Sequence, residues 1–142
     1  MIQWGQVFSR AANSGVVETE SVSTGEIRQA AQMSELAFYH LNLAHISGKD
    51  GFLKAAADAL EFPAYFGANW DAFEECLTDL SWHDAKGVVL LVEEVEPFDR
   101  DFPEVMETAR DIFESVTSYW RGLDTCFFVV LGGHLELTSR PS

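Results

Sequence analysis

The sequence predicts an α/β fold, a three-stranded parallel sheet flanked by helices. Gly87-Val88-Val89-Leu90-Leu91-Val92 is an uninterrupted apolar run, the mark of a strand buried on both faces. Cys126-Phe127-Phe128-Val129-Val130-Leu131 is a second such run. Segments of helical period stand before and between them, and strands alternating with helices pair in parallel through right-handed crossovers.

Taken in order, residues 1–35 read as an N-terminal extension holding a short strand and a helix. Val16 and Val17 follow the turn signal Ser14-Gly15. Ser23 and Glu26 have capping-box spacing ahead of the weak stripe Ile27, Ala30, Ala31 and Ser34. The extension either packs on the main domain or serves as an adaptor of its own. Leu36–Ile46 reads as the first strand of a main domain over residues 36–131. Ser47 and Asp50 repeat the capping spacing, and Phe52, Leu53, Ala56, Ala57 and Leu60 mark a helix that Pro63 prevents from continuing. After the Gly87–Val92 strand, Pro97 and Pro103 bracket an acidic loop. Val105, Met106, Ala109, Ile112, Phe113, Val116, Tyr119 and Trp120 then hold helical spacing up to Gly122. Gly132-Gly133 closes the last strand, and residues 132–142 read as a tail.

The chain has 142 residues, 47% hydrophobic and 13% aromatic, enough to fill one core. Its charge is the strong compositional signal: 23 acids against 9 Lys and Arg, a net −14. Such a chain repels nucleic acid and anionic membrane and attracts basic partners, although plain solubility also fits the composition. The placement of the acids separates these readings. No Lys or Arg lies between Lys54 and Lys86, a gap holding Asp58, Glu61, Asp71, Glu74, Glu75, Asp79 and Asp84. A second acidic block, broken only by Arg100, runs from Glu93 to Glu107. A merely soluble surface interleaves the signs. Cys76 and Cys126 fall in apolar settings and read as buried, reduced thiols, with no CxxC or Cys/His metal spacing. No apolar run reaches the ~18 residues of a membrane span, and no signal-peptide pattern opens the chain, so a cytoplasmic location is expected.

The most informative stretch runs from Phe62 to Leu80. An aromatic turn with Pro63, Tyr65, Phe66 and Gly67 leads into a short amphipathic helix. With Asn69 as N-cap and about 100° per residue, Phe73, Cys76, Leu77 and Leu80 share one side. Asp71, Glu74, Glu75, Thr78 and Asp79 share the other, so four carboxylates are displayed. Asn69 accepts a first-turn amide bond, and the helix start favours Asp71 as an anion. That capping account leaves Glu74, Glu75 and Asp79 clustered at a cost of a few tenths of a kcal/mol per like-charged pair. Tyr65, Phe66 and Trp70 beside them suit a protein contact, because rigid aromatics give much area for little lost entropy.

The stretch Pro63-x-Tyr65-Phe66-Gly67-x-Asn69-x-Asp71-Ala72-x-x-x-Cys76-Leu77 resembles the barstar family of bacterial intracellular ribonuclease inhibitors. The family pattern is Tyr-Tyr/Phe-Gly-x-Asn-x-Asp-Ala followed by an acid and Cys-Leu or Leu-Thr. The order of elements agrees over roughly Leu36 to Leu131. The resemblance implies a three-stranded parallel sheet and an acidic helix and loop that plug a ribonuclease active site. Carried over by position, Tyr65, Gly67 and Asn69 match the binding loop and Asp71 a binding carboxylate. Glu75 stands where the family's central inhibitory aspartate lies. Glu74 replaces an aromatic contact and Trp70 an aliphatic one, departures that bear on which target is bound. The family also uses an acid from the long later helix, for which Asp111 and Glu114 are candidates. The implied partner is a basic, barnase-like ribonuclease or another basic protein, with no cofactor, no metal and no catalysis of its own.

Two other readings compete. A hydrolase could use paired carboxylates, Asp71 with Glu75 or Glu93 with Glu94, but neither pair has a flanking His or nucleophile. His40 and His45, five apart on the expected strand, point to opposite sides, and His83-Asp84 reads as loop. Alternatively, the fold serves as an adaptor or regulator for a basic partner that is not a nuclease.

Overall fold

The apolar run at the centre of the sequence is also the centre of the sheet. A computed structural model of the chain describes residues 3–62, 69–79 and 86–135. Strand β3 (Gly87–Glu93) is buried along its whole length. It lies between β2 (Ala37–Asn42) and β4 (Cys126–Leu135) and pairs with both in parallel.

The sheet has four strands rather than three. β1 (Gly15–Val22) adds in parallel outside β4, giving the order β1-β4-β3-β2. An apolar-run criterion misses most of it because it is an edge strand: Glu18 and Glu20 are exposed, so the strand alternates instead of running apolar. Its partner explains Gly132-Gly133, which do not close β4 but lie inside it. A Cβ on Gly132 would sit 2.9 Å from both Val22 methyls, and one on Gly133 2.9 Å from the Glu20 carbonyl oxygen. The two glycines therefore let β1 approach β4.

Alternation along the strands gives the sheet two apolar faces. Val88, Leu90 and Val92 face a large core with α3 (Gly48–Leu60), α4 (Trp70–Asp79), α5 (Val95–Asp101) and α6 (Pro103–Gly122). Val89, Leu91, Phe128 and Val130 face a smaller core closed by Phe8, Ile27 and Ala31. Those three come from α1 (Trp4–Phe8), which a 3-10 turn (Ala11–Asn13) follows, and from α2 (Thr24–Met33). The strand and helix expected within residues 1–35 are both present and pack on the sheet. The Ser23 hydroxyl accepts the Glu26 amide at 3.4 Å, as the capping spacing predicts. Buried Ser14 adds a polar tie. Its hydroxyl accepts the Phe127 amide at 3.0 Å, and its carbonyl accepts the Arg121 guanidinium at 2.6 Å.

Local chemistry accounts for the other differences. β2 stops at Asn42, short of Ile46, where the Asn42 carboxamide accepts the Ala44 amide at 2.8 Å and turns the chain. Ser47 makes no side-chain capping bond to α3. The acidic segment expected as a loop is the helix α5, in which Pro97 occupies the first turn and needs no donor. Both cysteines are free, Cys76 buried and Cys126 half-buried. Pro63, Tyr65, Phe66, Gly67, Leu80, His83, Asp84 and residues 136–142 lie outside the described residues.

Ile27, fully buried on α2, tests how firmly the N-terminal elements belong to this core. Ile27→Ala should cost about 2–5 kcal/mol and move a single urea transition to lower concentration. A loss below about 0.5 kcal/mol, or a separate early transition, would show that α2 packs only loosely.

A candidate protein-binding face on helix α4

Helix α4 begins where its sequence says it should. The Asn69 side-chain oxygen accepts the Ala72 amide at 2.8 Å, and the Asn69 carbonyl accepts the Phe73 amide at 2.9 Å. Asp71 stands in the first turn, where the free amide ends favour an anion. The inward residues Phe73, Cys76 and Leu77 are buried. The Phe73 ring lies 5.8 Å from Phe52, 6.2 Å from Phe62, 5.9 Å from Trp70 and 5.8 Å from Phe113.

The outward face carries three open carboxylates, not four. Asp71, Glu75 and Asp79 are exposed and spaced four apart, which places them in one row along the helix. Glu74 is half-buried, and its Oε2 accepts a 3.1 Å bond from the Ser115 hydroxyl of α6. Among the described residues, the ion pairs involve His40–Glu93, Arg100–Asp101, Arg110–Glu18 and Arg110–Asp99, so no cation neutralises the row. Its field reaches inward: burial first, then Asp79 and Glu75, push the Cys76 thiol above its ordinary pKa. That thiol is therefore a poor nucleophile.

Trp70 is only partly available for contact. Its ring packs 5.8 Å from Phe52 as well as against Phe73, and the residue is half-buried. Together with Asn69, Asp71, Ala72 and Glu75 it lines a shallow concavity of about 560 Å³. Tyr65, Phe66 and Gly67 belong to the segment outside the described residues.

Two residues of α6 that sequence reasoning did not single out hold α4 in place. Ser115 bonds Glu74, and the Trp120 indole N–H donates to the Leu77 carbonyl at 3.0 Å. A half-buried Trp needs such an acceptor, which was the available signal. Asp111 and Glu114 are both exposed, and Asp111 lies one turn before Ser115 on the same row of α6.

The carboxylate pairs considered for catalysis do not assemble a site. No histidine joins Asp71 and Glu75 among the described residues. Glu93 is fully buried: its Oε1 accepts the Thr24 hydroxyl at 2.7 Å, and His40 Nε2 lies against the same oxygen. Glu94 has left-handed backbone (φ 61°) and borders a different cavity. His45 lies beyond β2 in an exposed loop, also with left-handed backbone (φ 65°), so the expected His40–His45 strand relation does not arise. No group of three or more His, Cys, Asp or Glu suited to a metal occurs among the described residues. No described helix is long and apolar enough to cross a membrane.

The family profile Barstar, described as "Barstar (barnase inhibitor)", matches residues 36–132, more than half of the chain. The chain belongs to the Barstar family. No curated protein matches it closely enough to add a named relative. Barstar-family proteins are inhibitors rather than enzymes, and the match contains α4 with its carboxylate row. It leaves out α1, β1 and α2, the elements that supply the fourth strand and close the smaller core.

The capping bond gives a direct check on how α4 is set. Asn69→Ala should cost about 1 kcal/mol in chemical denaturation, and Asn69→Asp should cost little, because aspartate caps equally well. Equal losses from both substitutions would show that the carboxamide does more than cap.

Proposed function

We infer that this protein inhibits a basic, barnase-type ribonuclease by inserting the outward face of α4 into the enzyme's active site. A ribonuclease site gathers Arg, Lys and His to hold phosphate. Asp71 and Glu75 would meet those cations through charge-assisted hydrogen bonds as phosphate surrogates. Tyr65, Phe66, Gly67, Asn69 and Trp70 would cover the edge of the site, and Asp79 would extend the negative surface. The observation that carries this reading is the row Asp71–Glu75–Asp79, exposed on a helix of a Barstar-family domain and unpaired among the described residues. Like charges held in one row repel, and a cationic partner relieves that repulsion. The net charge of −14 would steer the encounter and keep the protein off nucleic acid itself. Such an inhibitor would act in the cytoplasm of the cell that makes the nuclease.

The departures from the family pattern bear on the target. Glu75 is one methylene longer than the expected aspartate, and Glu74 is tied to Ser115 instead of offering an aromatic contact. Elements outside the family match also accompany this domain. These features favour, as a second reading, a basic partner that is not a nuclease, met through the same face.

RNA cleavage by a panel of barnase-type ribonucleases, with the protein titrated in, separates the two. Stoichiometric inhibition of at least one is expected. Asp71→Ala and Glu75→Ala should each raise its Kd by about ten- to a hundredfold, the value of a charge-assisted bond. Full inhibition by the double variant would show that α4 is not the plug. No inhibition of any panel member would leave the second reading in its place.

A further inference from the structure

Among the described residues only three large apolar side chains are strongly exposed: Met33, Tyr119 and Leu123. Two of these, Tyr119 at 50% and Leu123 at 55%, lie four apart at the C-terminal end of α6. Their position relative to α4 is fixed. The contacts Glu74–Ser115 and Leu77–Trp120 advance together, so α4 and α6 run side by side in the same direction. Tyr119 is one turn past Ser115 on the same row, beside the Glu75–Asp79 end of the carboxylates. The Tyr119 ring stands edge-on to Trp120, with centroids 5.1 Å apart, and Trp120 is bonded to the α4 backbone. The patch is therefore anchored to the helix that carries the acids.

We propose that Tyr119 and Leu123 form an apolar contact for the same basic protein that takes the carboxylate row. The proposal rests on the reading above and adds the partner's second feature: an apolar rim beside its cationic cleft. Charge selects the occupant. A patch joined to an unneutralised carboxylate row repels a second copy of this chain, which carries the same −14, and repels an anionic membrane. A basic protein is attracted. Interfaces place tyrosine and aliphatic anchors where charge pairs need water excluded, and Tyr119 offers area with little rotamer freedom to lose. The two parts divide the work. The acids set the encounter rate and its salt dependence, and the apolar pair slows dissociation.

The test uses the full chain and the ribonuclease of the panel bound most tightly, in a catalytically inactive form. Tyr119→Ala/Leu123→Ala should leave the melting temperature unchanged, because both side chains are exposed. It should raise Kd by about ten- to a hundredfold through faster dissociation, with the slope of log Kd against log salt as in the wild type. Asp71→Ala/Glu75→Ala should flatten that slope. Tyr119→Phe should bind like the wild type. An unchanged Kd for Tyr119→Ala/Leu123→Ala, with Asp71→Ala/Glu75→Ala weakened, overturns this inference and leaves the inhibitor reading standing. Wild-type protein that binds no panel member overturns both. A dimer of the free protein that Tyr119→Ala/Leu123→Ala dissolves, with ribonuclease affinity unchanged, assigns the patch to a second copy and overturns the proposal.

Discussion

The setting of α4 depends on Phe73. Its ring is fully buried and meets Phe52, Phe62, Trp70 and Phe113, which come from α3, the chain just after it, α4 itself and α6. Three of the four pairs with Phe73 are tilted 65° or more, in the edge-on arrangement that aromatic quadrupoles favour. Each such pair contributes about 0.5–1.5 kcal/mol beyond simple burial. A helix pinned this way cannot roll. Given 3.6 residues per turn, fixing Phe73 and Leu77 inward leaves Asp71, Glu75 and Asp79 no direction but outward. The Trp120–Leu77 and Ser115–Glu74 bonds then stop α4 from sliding along α6. The carboxylates are preorganised, so little side-chain and helix ordering remains to oppose binding.

Much of this was legible because it is local. The β3 run, the Asn69 cap and the two sides of α4 each need only a few neighbouring residues to be read. What depends on distant partners was not legible. β1 is an edge strand whose acids alternate with apolar residues, so no continuous run announces it. Gly132 and Gly133 look like a terminator until β1 is known to lie against them. Glu74 was read as part of an open face because nothing near it in sequence points to Ser115. Trp70 carries the same ambiguity as any aromatic beside a face, and the structure divides it between core and surface. The acidic segment around Pro97 was read as loop because its charges hide the buried pair Val95 and Phe98. His40, Glu93 and Thr24 meet only through tertiary packing.

The elements outside the family match have a structural explanation. A parallel sheet of apolar strands needs cover on both faces. The helices of the matched region cover one face, the one that carries α4; α1 and α2 cover the other. The buried Glu93 carboxylate sits on that second face, and its bond to Thr24 joins α2 to the end of β3. A buried carboxylate needs such partners. The N-terminal elements thus lie across the sheet from the carboxylate row. They complete the core that holds α4 and do not border its outward face.

Hydrogen exchange of the full chain, with and without an inactive barnase-type ribonuclease, tests the central claim most directly. If α4 is the plug, amides of residues 69–79 slow strongly in the complex, while those of α1 and α2 exchange as in the free protein. Protection confined to α1 and α2, with residues 69–79 unchanged, would contradict it.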